Sequence, residues 1–450
     1  MNLDSLLAAG VSWQVSKGGT LYLDERRRPG PRRGPLAGVR VADFCWMGVG
    51  SVATRLLADF GAEVIKIEDR TRIDTPRKLP LYKDEDARNF GEEVVGADPD
   101  KGGLFNNYCR NKLGVTINMR SAEGRRLAER LIAASSVVTE NFAPGVMERW
   151  GLTYERLREL RPDVVYARMS GYGHSGPNAA YRSYGPVVQA VSGLSFISGL
   201  PGREPSGWGL SHMDNQAAFY NSAAILMAIR HRMLTGQGTE IDVSAIETGI
   251  SLLGPVMLEV TVNGRATRGP RYPAGNRLEY PHAAPHGVYP ASGEDRWVAI
   301  AVFNDEEWSR FADAIGRPAW TADERFASQQ SRWENQDALD EAVATWTSQR
   351  DRYEATKLLQ EAGVRAGAVQ NAQDLNETDP QLAHRGVFFQ MDHPVIGEAR
   401  FEGVPVHFDG MSADNWRSGP LLGEDNEYVF KELLGVADDE FAELTVSGVI

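Results

Sequence analysis

Of all the side chains in this sequence, Asp214 has the clearest opportunity for chemistry. It lies in GWGLSHMDNQAAFY (207–220), at the head of a stretch rich in Ala, Leu, Ile and Met that runs to about Met233. A carboxylate there meets the free N–H groups and the positive dipole end of a helix. Alone, the position reads as an N-cap; in a shaped site the same group is a nucleophile or a proton acceptor. His212, two residues earlier, is a further candidate. A second opportunity is Gly48-x-Gly50-x-x-Ala53 within VADFCWMGVGSVATRLLADFGAEVIKIE (41–68). It satisfies the relaxed dinucleotide signature, with Glu68 where a ribose-binding acid is expected. The same glycines also allow a tight strand-to-helix turn that binds no nucleotide. SGYGHSGP (170–177) lacks the Gly-x-Ser-x-Gly spacing of a hydrolase nucleophile and reads as a flexible loop with His174 at its surface. Cys45, closing the first strand, reads as a small packed residue.

The spacing of apolar residues predicts the elements that hold these groups. Strands at 39–44 and 63–67 flank a helix carrying Val52, Leu56, Leu57 and Phe60, and Gly61 supplies its C-terminal stop. The pattern repeats: a strand at 114–118, a helix at 121–132 with Ser121 as N-cap, strands at 136–139 and 164–169, and a helix around 154–160. Alternation of this kind implies a parallel sheet with helices on both faces. A long helix starts at Asp214 and stops at LTGQG (234–238), and another is expected over 243–253. Residues 264–290 have little periodicity. A second α/β region follows, with a strand at 297–302, helices near 305–315 and 337–362 and a strand at 364–369, and a capped helix is expected over 420–435. The expected organisation is an N-terminal extension (1–35), a large domain (36–255 with 400–450), a linker (256–290) and a small α/β domain (291–399).

Composition limits the function. Across 450 residues, 48 basic and 61 acidic side chains give a net charge of −13, which opposes nucleic-acid binding and favours small-molecule chemistry. Cys45 and Cys109 are the only cysteines and have no metal-ligand spacing, so neither a disulfide framework nor a metal site is expected, and a reducing cytoplasm fits. LLAAG (6–10) is too short for a signal segment and follows Asp4; with no unbroken apolar run of 18 residues, no membrane association is expected. RRRPGPRR (26–33) reads as a solvated linker.

Several separated motifs in one order carry a further signal: LAGVRVADF (36–44), LADFGAEVIKIE (57–68), RNKLGVTIN (110–118), ENFAPGVMERWGL (140–152), SGYGHSGP, the Asp214 segment, TGQG (235–238) and PLLGE (420–424). Together they resemble the family III CoA-transferases of CaiB/BaiF type, the group that includes formyl-CoA transferase and carnitine CoA-transferase, over roughly 36–435. The resemblance implies an α/β fold with a large Rossmann-like domain, a smaller α/β domain and two chains interlocked as a homodimer, or a hetero-oligomer. It implies no permanently bound cofactor, with coenzyme A and acyl-CoA as substrates. Asp214 takes the position of the family's nucleophile, which forms aspartyl anhydrides and an aspartyl-CoA thioester. Asn141, Phe142 and Arg149 take positions of coenzyme A contacts, as do Asn111, Ile117 and Arg182, with Gly48 and Val49 in the glycine turn. Tyr184 matches an active-site tyrosine of formyl-CoA transferase.

Two departures bear on specificity. Formyl-CoA transferase has a glutamine where this chain has Gly48, and its run of glycines is absent from 273–290. α-Methylacyl-CoA racemases of the same superfamily place a histidine at the position of Tyr184. The alternatives are therefore a racemase or epimerase acting α to the thioester, and a non-catalytic coenzyme A-binding subunit.

Overall fold

The structure, a computed structural model, describes residues 32–79, 98–264, 268, 272–278, 280–413 and 416–450, with the backbone alone of β1 (Trp13–Val15) and β2 (Leu21–Leu23), which pair antiparallel. Most of the N-terminal extension, including Arg26 to Pro31 of the basic cluster, lies outside the described residues. The chain divides into two units, one formed by Met1–Gly193, Trp208–Gly254 and Arg385–Ile450, the other by Leu194–Gly207 and Pro255–His384.

The first unit is built on six parallel strands: β3 (Arg40–Asp43), β4 (Glu63–Glu68), β5 (Leu113–Thr116), β6 (Val137–Glu140), β7 (Val165–Ser170) and β8 (Thr239–Ser244). Their order is β5-β4-β3-β6-β7-β8. The chain winds outward from β3 in one direction and from β6 in the other, so the loops leaving these adjacent strands part and open a crevice at the carboxyl edge, the usual ligand position in such sheets. α1 (Val49–Asp59) follows β3, α2 (Ala122–Ala133) precedes β6, α3 (Val146–Arg149) and α4 (Tyr154–Leu160) follow it, and α5 (Gly185–Val191) and α6 (His212–Thr235) lie between β7 and β8.

One face of the central strands changes character along its length. Side chains two apart share a face, so Val41, Val64 and Val137 line the side packed by Leu57, Ala58, Ile225 and Ile229 of α1 and α6. Asp43, Lys66, Glu68 and Thr139 continue that face at the carboxyl edge, all buried. The opposite face, including Ile65, Ile67, Val115 and Val138, packs on α2 and on the C-terminal Val429 and Phe430.

In the second unit β9 (His286–Pro290), β10 (Trp297–Ala301) and β11 (Arg365–Ala368) form an antiparallel sheet. Its core contains Trp308, Phe311, Leu339, Val343, Trp346 and Leu359.

Four expectations need correction. Residues 239–244 are strand, not the start of a helix; only 245–250 of the expected 243–253 are α-helical. The expected linker contains most of the helix Gly254–Asn263 and all of β9. The small unit ends at His384, because β12 (Phe388–His393) and β13 (Gly397–Glu402) form a hairpin whose Glu402 binds Arg55 at 2.9 Å and Asn107 at 2.7 Å in the first unit. The closing segment is π-helical over Glu427–Leu433. The helical stretch Ala245–Asn263, 19 residues, is long and apolar enough to cross a membrane by length and composition alone. It also carries Glu247 and Glu259 and is interrupted by the turn Ser251–Leu253.

Gly50 allows α1 to start against Cys45: a methyl there would lie 2.4 Å from Cys45 Sγ and 2.6 Å from its Cβ. Gly50→Ala is expected to lower the unfolding free energy by on the order of 1–3 kcal/mol in urea denaturation. An unchanged midpoint would show that the helix start has room to slide.

Candidate functional site

The glycine turn between β3 and α1 is held from below by buried charges. Asp43 Oδ2 accepts from Thr54 Oγ1 at 2.7 Å and Lys112 Nζ at 3.0 Å, while Oδ1 accepts from Thr139 Oγ1 at 3.0 Å and the Cys45 amide at 3.1 Å. Burial pushes the Asp43 carboxyl up, but Lys112, Lys66 and the Thr54 hydroxyl outweigh it and the net shift is downward. Lys66 donates to the Cys45 carbonyl at 2.7 Å and to Asp74 at 2.8 Å; the other oxygen of Asp74 accepts the Met47 amide at 2.9 Å. Asn141 accepts the Trp46 amide at 2.8 Å and donates to the Trp46 carbonyl at 2.7 Å. Three consecutive residues, 45 to 47, are therefore fixed, and Met47 takes a left-handed φ of 60°.

Glu68 is not free for a ribose. Arg77 grips both its oxygens, with Nε at 2.9 and 3.0 Å and Nη2 at 2.8 Å, and both side chains are buried. The acid that would recognise a nicotinamide dinucleotide is thus consumed by the loop after β4, and the dinucleotide signature serves only the turn.

The held turn faces Asp214. A Cβ on Gly48 would lie 3.2 Å from Asp214 Oδ2, and one on Gly185 would lie 3.1 Å from the same atom. Gly48 caps α1, with Val49 its first residue, and Gly185 is the first residue of α5. The carboxylate therefore lies beside two helix starts, whose first N–H groups have no acceptor within their own helices. Asp214 is the third residue of α6, with Ser211 as N-cap, so it does not cap the helix itself. Burial raises its carboxyl to about 6, a shift the Ser211 hydrogen bond only partly offsets. No lysine or arginine forms an ion pair with it among the described residues.

The other expected site residues fall into two groups. At the crevice, Phe142 packs edge-on against Trp46 at 5.8 Å and Trp150 at 5.5 Å, and Arg149 ends α3, exposed and without an ion-pair partner among the described residues. Tyr184, the N-cap of α5, is 69% exposed, and Arg182 is exposed on the same approach. Asn111 and Ile117, by contrast, reach no surface. Asn111 donates to Asp59 at 2.6 Å and accepts the Trp416 amide at 3.0 Å; Ile117 belongs to the core. Asn141 reaches the crevice with both amide atoms committed to Trp46. His174, expected at the surface, has a side chain only 4% exposed.

Sequence reasoning missed Trp46, Arg72 and Tyr108. Arg72 lies 5.6 Å from the Trp46 ring centre, extending the aromatic and cationic lining of the crevice. Tyr108 packs with Val49 beside Val52, Ala53 and Ala218, and the Asp214 charge, after burial, helps raise its phenol. An arginine shortly after the β4 acid was the available signal for Arg72; Tyr108 gave none.

The strand order is that of a Rossmann-like, doubly wound sheet, with the partly buried Asp214 carboxylate beside the turn at its switch point. The chain belongs to CoA-transferase family III, whose family model matches residues 36–426. It is 32% identical to the succinyl-CoA–D-citramalate CoA-transferase of Chloroflexus aurantiacus over 92% of this chain and 98% of that protein. It is equally 32% identical to the alpha subunit of succinyl-CoA–L-malate CoA-transferase from the same organism, covering 92% of each. A CaiB/BaiF family protein from Brucella suis, 27% identical, superposes with a TM-score of 0.77 over 89% of this chain and 100% of that one.

The raised carboxyl of Asp214 has a cost in stability. Unfolded it titrates near 3.8 and folded near 6, so the penalty is fully present above pH 6 and vanishes below 3.8. Asp214→Asn is expected to stabilise the fold by on the order of 3 kcal/mol at pH 8 and by little at pH 4, read by urea denaturation. A pH-independent difference would show that the carboxylate is not strained by burial.

Proposed function

We propose that this protein moves coenzyme A from an acyl-CoA to a free carboxylic acid with Asp214 as a covalent relay. The observation that carries this reading is a partly buried carboxylate, without a cation partner among the described residues, beside two glycines that begin helices. The glycines leave room for a planar thioester, and the adjoining N–H groups can receive the oxyanion of each tetrahedral intermediate, where a single such donor contributes about 100- to 1,000-fold.

Each step exchanges one bond for another without oxidation or reduction. An Asp214 oxygen attacks the thioester carbon, the C–S bond breaks and coenzyme A leaves as thiolate. The thiolate then attacks the aspartyl carbonyl, releasing the donor acid and leaving an aspartyl-CoA thioester. The acceptor carboxylate displaces the thiolate, giving a second mixed anhydride. Thiolate attack on the acceptor's carbonyl yields the new acyl-CoA and restores the carboxylate. Splitting the exchange in this way lowers each barrier, and it requires coenzyme A to stay bound throughout. Phe142, Trp46, Arg149 and Arg72 suit that task, offering ring faces and fixed charges to a nucleotide and its phosphates.

The relatives named for succinyl-CoA with D-citramalate, L-malate and glutarate make dicarboxylic acids the first acceptors to test. A second chain suits the exposed apolar residues of α6, including Met227, Met233 and Leu234. We assign a homodimer, the L-malate enzymes with alpha and beta subunits being the precedent for a mixed assembly. Cys45 and Cys109 are buried free thiols, which suits the cytoplasm.

With succinyl-CoA and a panel of free acids, ping-pong kinetics are expected, with no solvent deuterium entering the α-carbon when the acceptor is left out. Asp214→Ala is expected to lower transfer roughly a thousandfold or more while coenzyme A still binds. Arg149→Ala is expected to weaken coenzyme A binding about tenfold. Near-normal transfer by Asp214→Ala would end the relay, and acceptor-independent α-proton exchange would favour a racemase.

A further inference from the structure

His174 lies between two carboxylates from different strands. Its Nε2 is 3.0 Å from Glu140 Oε1 at the end of β6, and its Nδ1 is 3.1 Å from Asp242 Oδ1 on β8. The His174 amide also donates to Asp242, at 3.0 Å from Oδ2. Glu140 is buried, and its other oxygen accepts the Phe142 amide at 2.7 Å. A chain of contacts therefore runs from the loop after β7, through Glu140, to the backbone of the segment that presents Phe142 and Arg149.

The surrounding charges decide the state of the ring. From β7, Arg168 places Nε 3.3 Å from Glu140 Oε1, and its other nitrogens meet Glu148 at 2.5 Å and Glu240 at 3.0 Å. Four carboxylates, Glu140, Asp242, Glu148 and Glu240, thus surround Arg168 and His174. A neutral imidazole has one N–H and would turn a lone pair on one of its two acids, whereas the imidazolium carries a proton on each ring nitrogen and a positive charge that attracts both acids. The Nε2 contact is off the donor axis, so its attraction depends on charge more than on direction. Burial pulls the imidazole down, but Glu140 and Asp242 together raise it above its ordinary value.

We propose that His174 is a positioning residue for coenzyme A: as an imidazolium it ties Glu140 to Asp242 and so fixes the loop carrying Phe142 and Arg149. This rests on the assignment of that loop to coenzyme A. His174 itself touches no substrate. The clamp is complete below the ordinary histidine range, near 6.5, and is lost as pH rises through the raised folded value. Coenzyme A affinity is then expected to fall on the alkaline side, with the loss appearing in KM for acyl-CoA rather than in kcat.

The test is calorimetric titration of coenzyme A into the full chain, wild type against His174→Gln and His174→Ala, from about pH 6 to about pH 9. Comparing proteins at each pH cancels the titration of the ligand. His174→Ala is expected to bind about tenfold more weakly at the acid end and to converge with wild type at the alkaline end. His174→Gln keeps an N–H donor that does not titrate, so it is expected to rescue binding in part and to flatten the alkaline decline; it also carries the test if the alanine variant does not fold. A ratio of affinities that stays constant with pH, even alongside a lowered melting temperature, would mean a merely structural histidine and overturn the proposal. If wild type fails to bind, or Arg149→Ala binds as wild type does, the coenzyme A assignment itself has failed.

Discussion

The arrangement depends on a pair of buried charges, Asp43 and Lys112, under the glycine turn. Their side chains are 0% exposed, 3.0 Å apart, and Lys112 also donates to Thr54 at 2.7 Å and the Ser51 carbonyl at 2.9 Å. Taking both ions from water is expensive, and losing one partner of such a pair typically costs about 3–5 kcal/mol. Their return lies in geometry, because the same atoms bind the end of β3, the body of α1, the segment entering β5 and Thr139 of β6. Lys66 and Asp74 extend the network to the peptide groups of Cys45 and Met47, and Asn141 joins it across the switch point. A turn tied to four strands and the loop after β4 cannot drift relative to the sheet, and it is against this turn that Asp214 packs.

Asp214 itself is treated differently. Where the charges beneath it are paired and hydrogen-bonded, it has the Ser211 hydrogen bond and no cation among the described residues, and it is harder to ionise than a free aspartate. Catalytic groups are often held in such unfavourable surroundings, with the rest of the fold supplying the stability they forgo. A carboxylate satisfied by a lysine would be a poorer nucleophile. The contrast between Asp43 and Asp214, two aspartates of one unit with opposite shifts, separates the scaffold from the group proposed to react.

The parallel sheet and its helices are readable because strands alternate with helices of regular apolar spacing, as where Val52, Leu56, Leu57 and Phe60 recur between Arg40–Asp43 and Glu63–Glu68 and Gly61 ends the helix. It concealed β8, an edge strand whose alternate residues are exposed, so that TEIDVS has no continuous apolar run. Glu68 looked like a ribose ligand since the residue that claims it, Arg77, belongs to an irregular segment whose path no periodicity reveals. His174 looked exposed for a similar reason: one of its partners, Asp242, is 68 residues away on a different strand. Asp214 stands out in the sequence by type and place, but the two glycines beside it, from separate helices, become its neighbours only in the folded chain. Asn111 and Ile117 illustrate the converse, motif positions whose side chains the fold turns inward.

The proposed relay requires Asp214 to form a covalent bond with the group in transit. Active enzyme incubated with succinyl-CoA alone, quenched with hydroxylamine, digested and analysed by mass spectrometry reads that bond directly. The predicted result is a hydroxamate on the peptide containing Asp214, formed only when the thioester is present. Recovery of that peptide unmodified from repeatedly active preparations would contradict it.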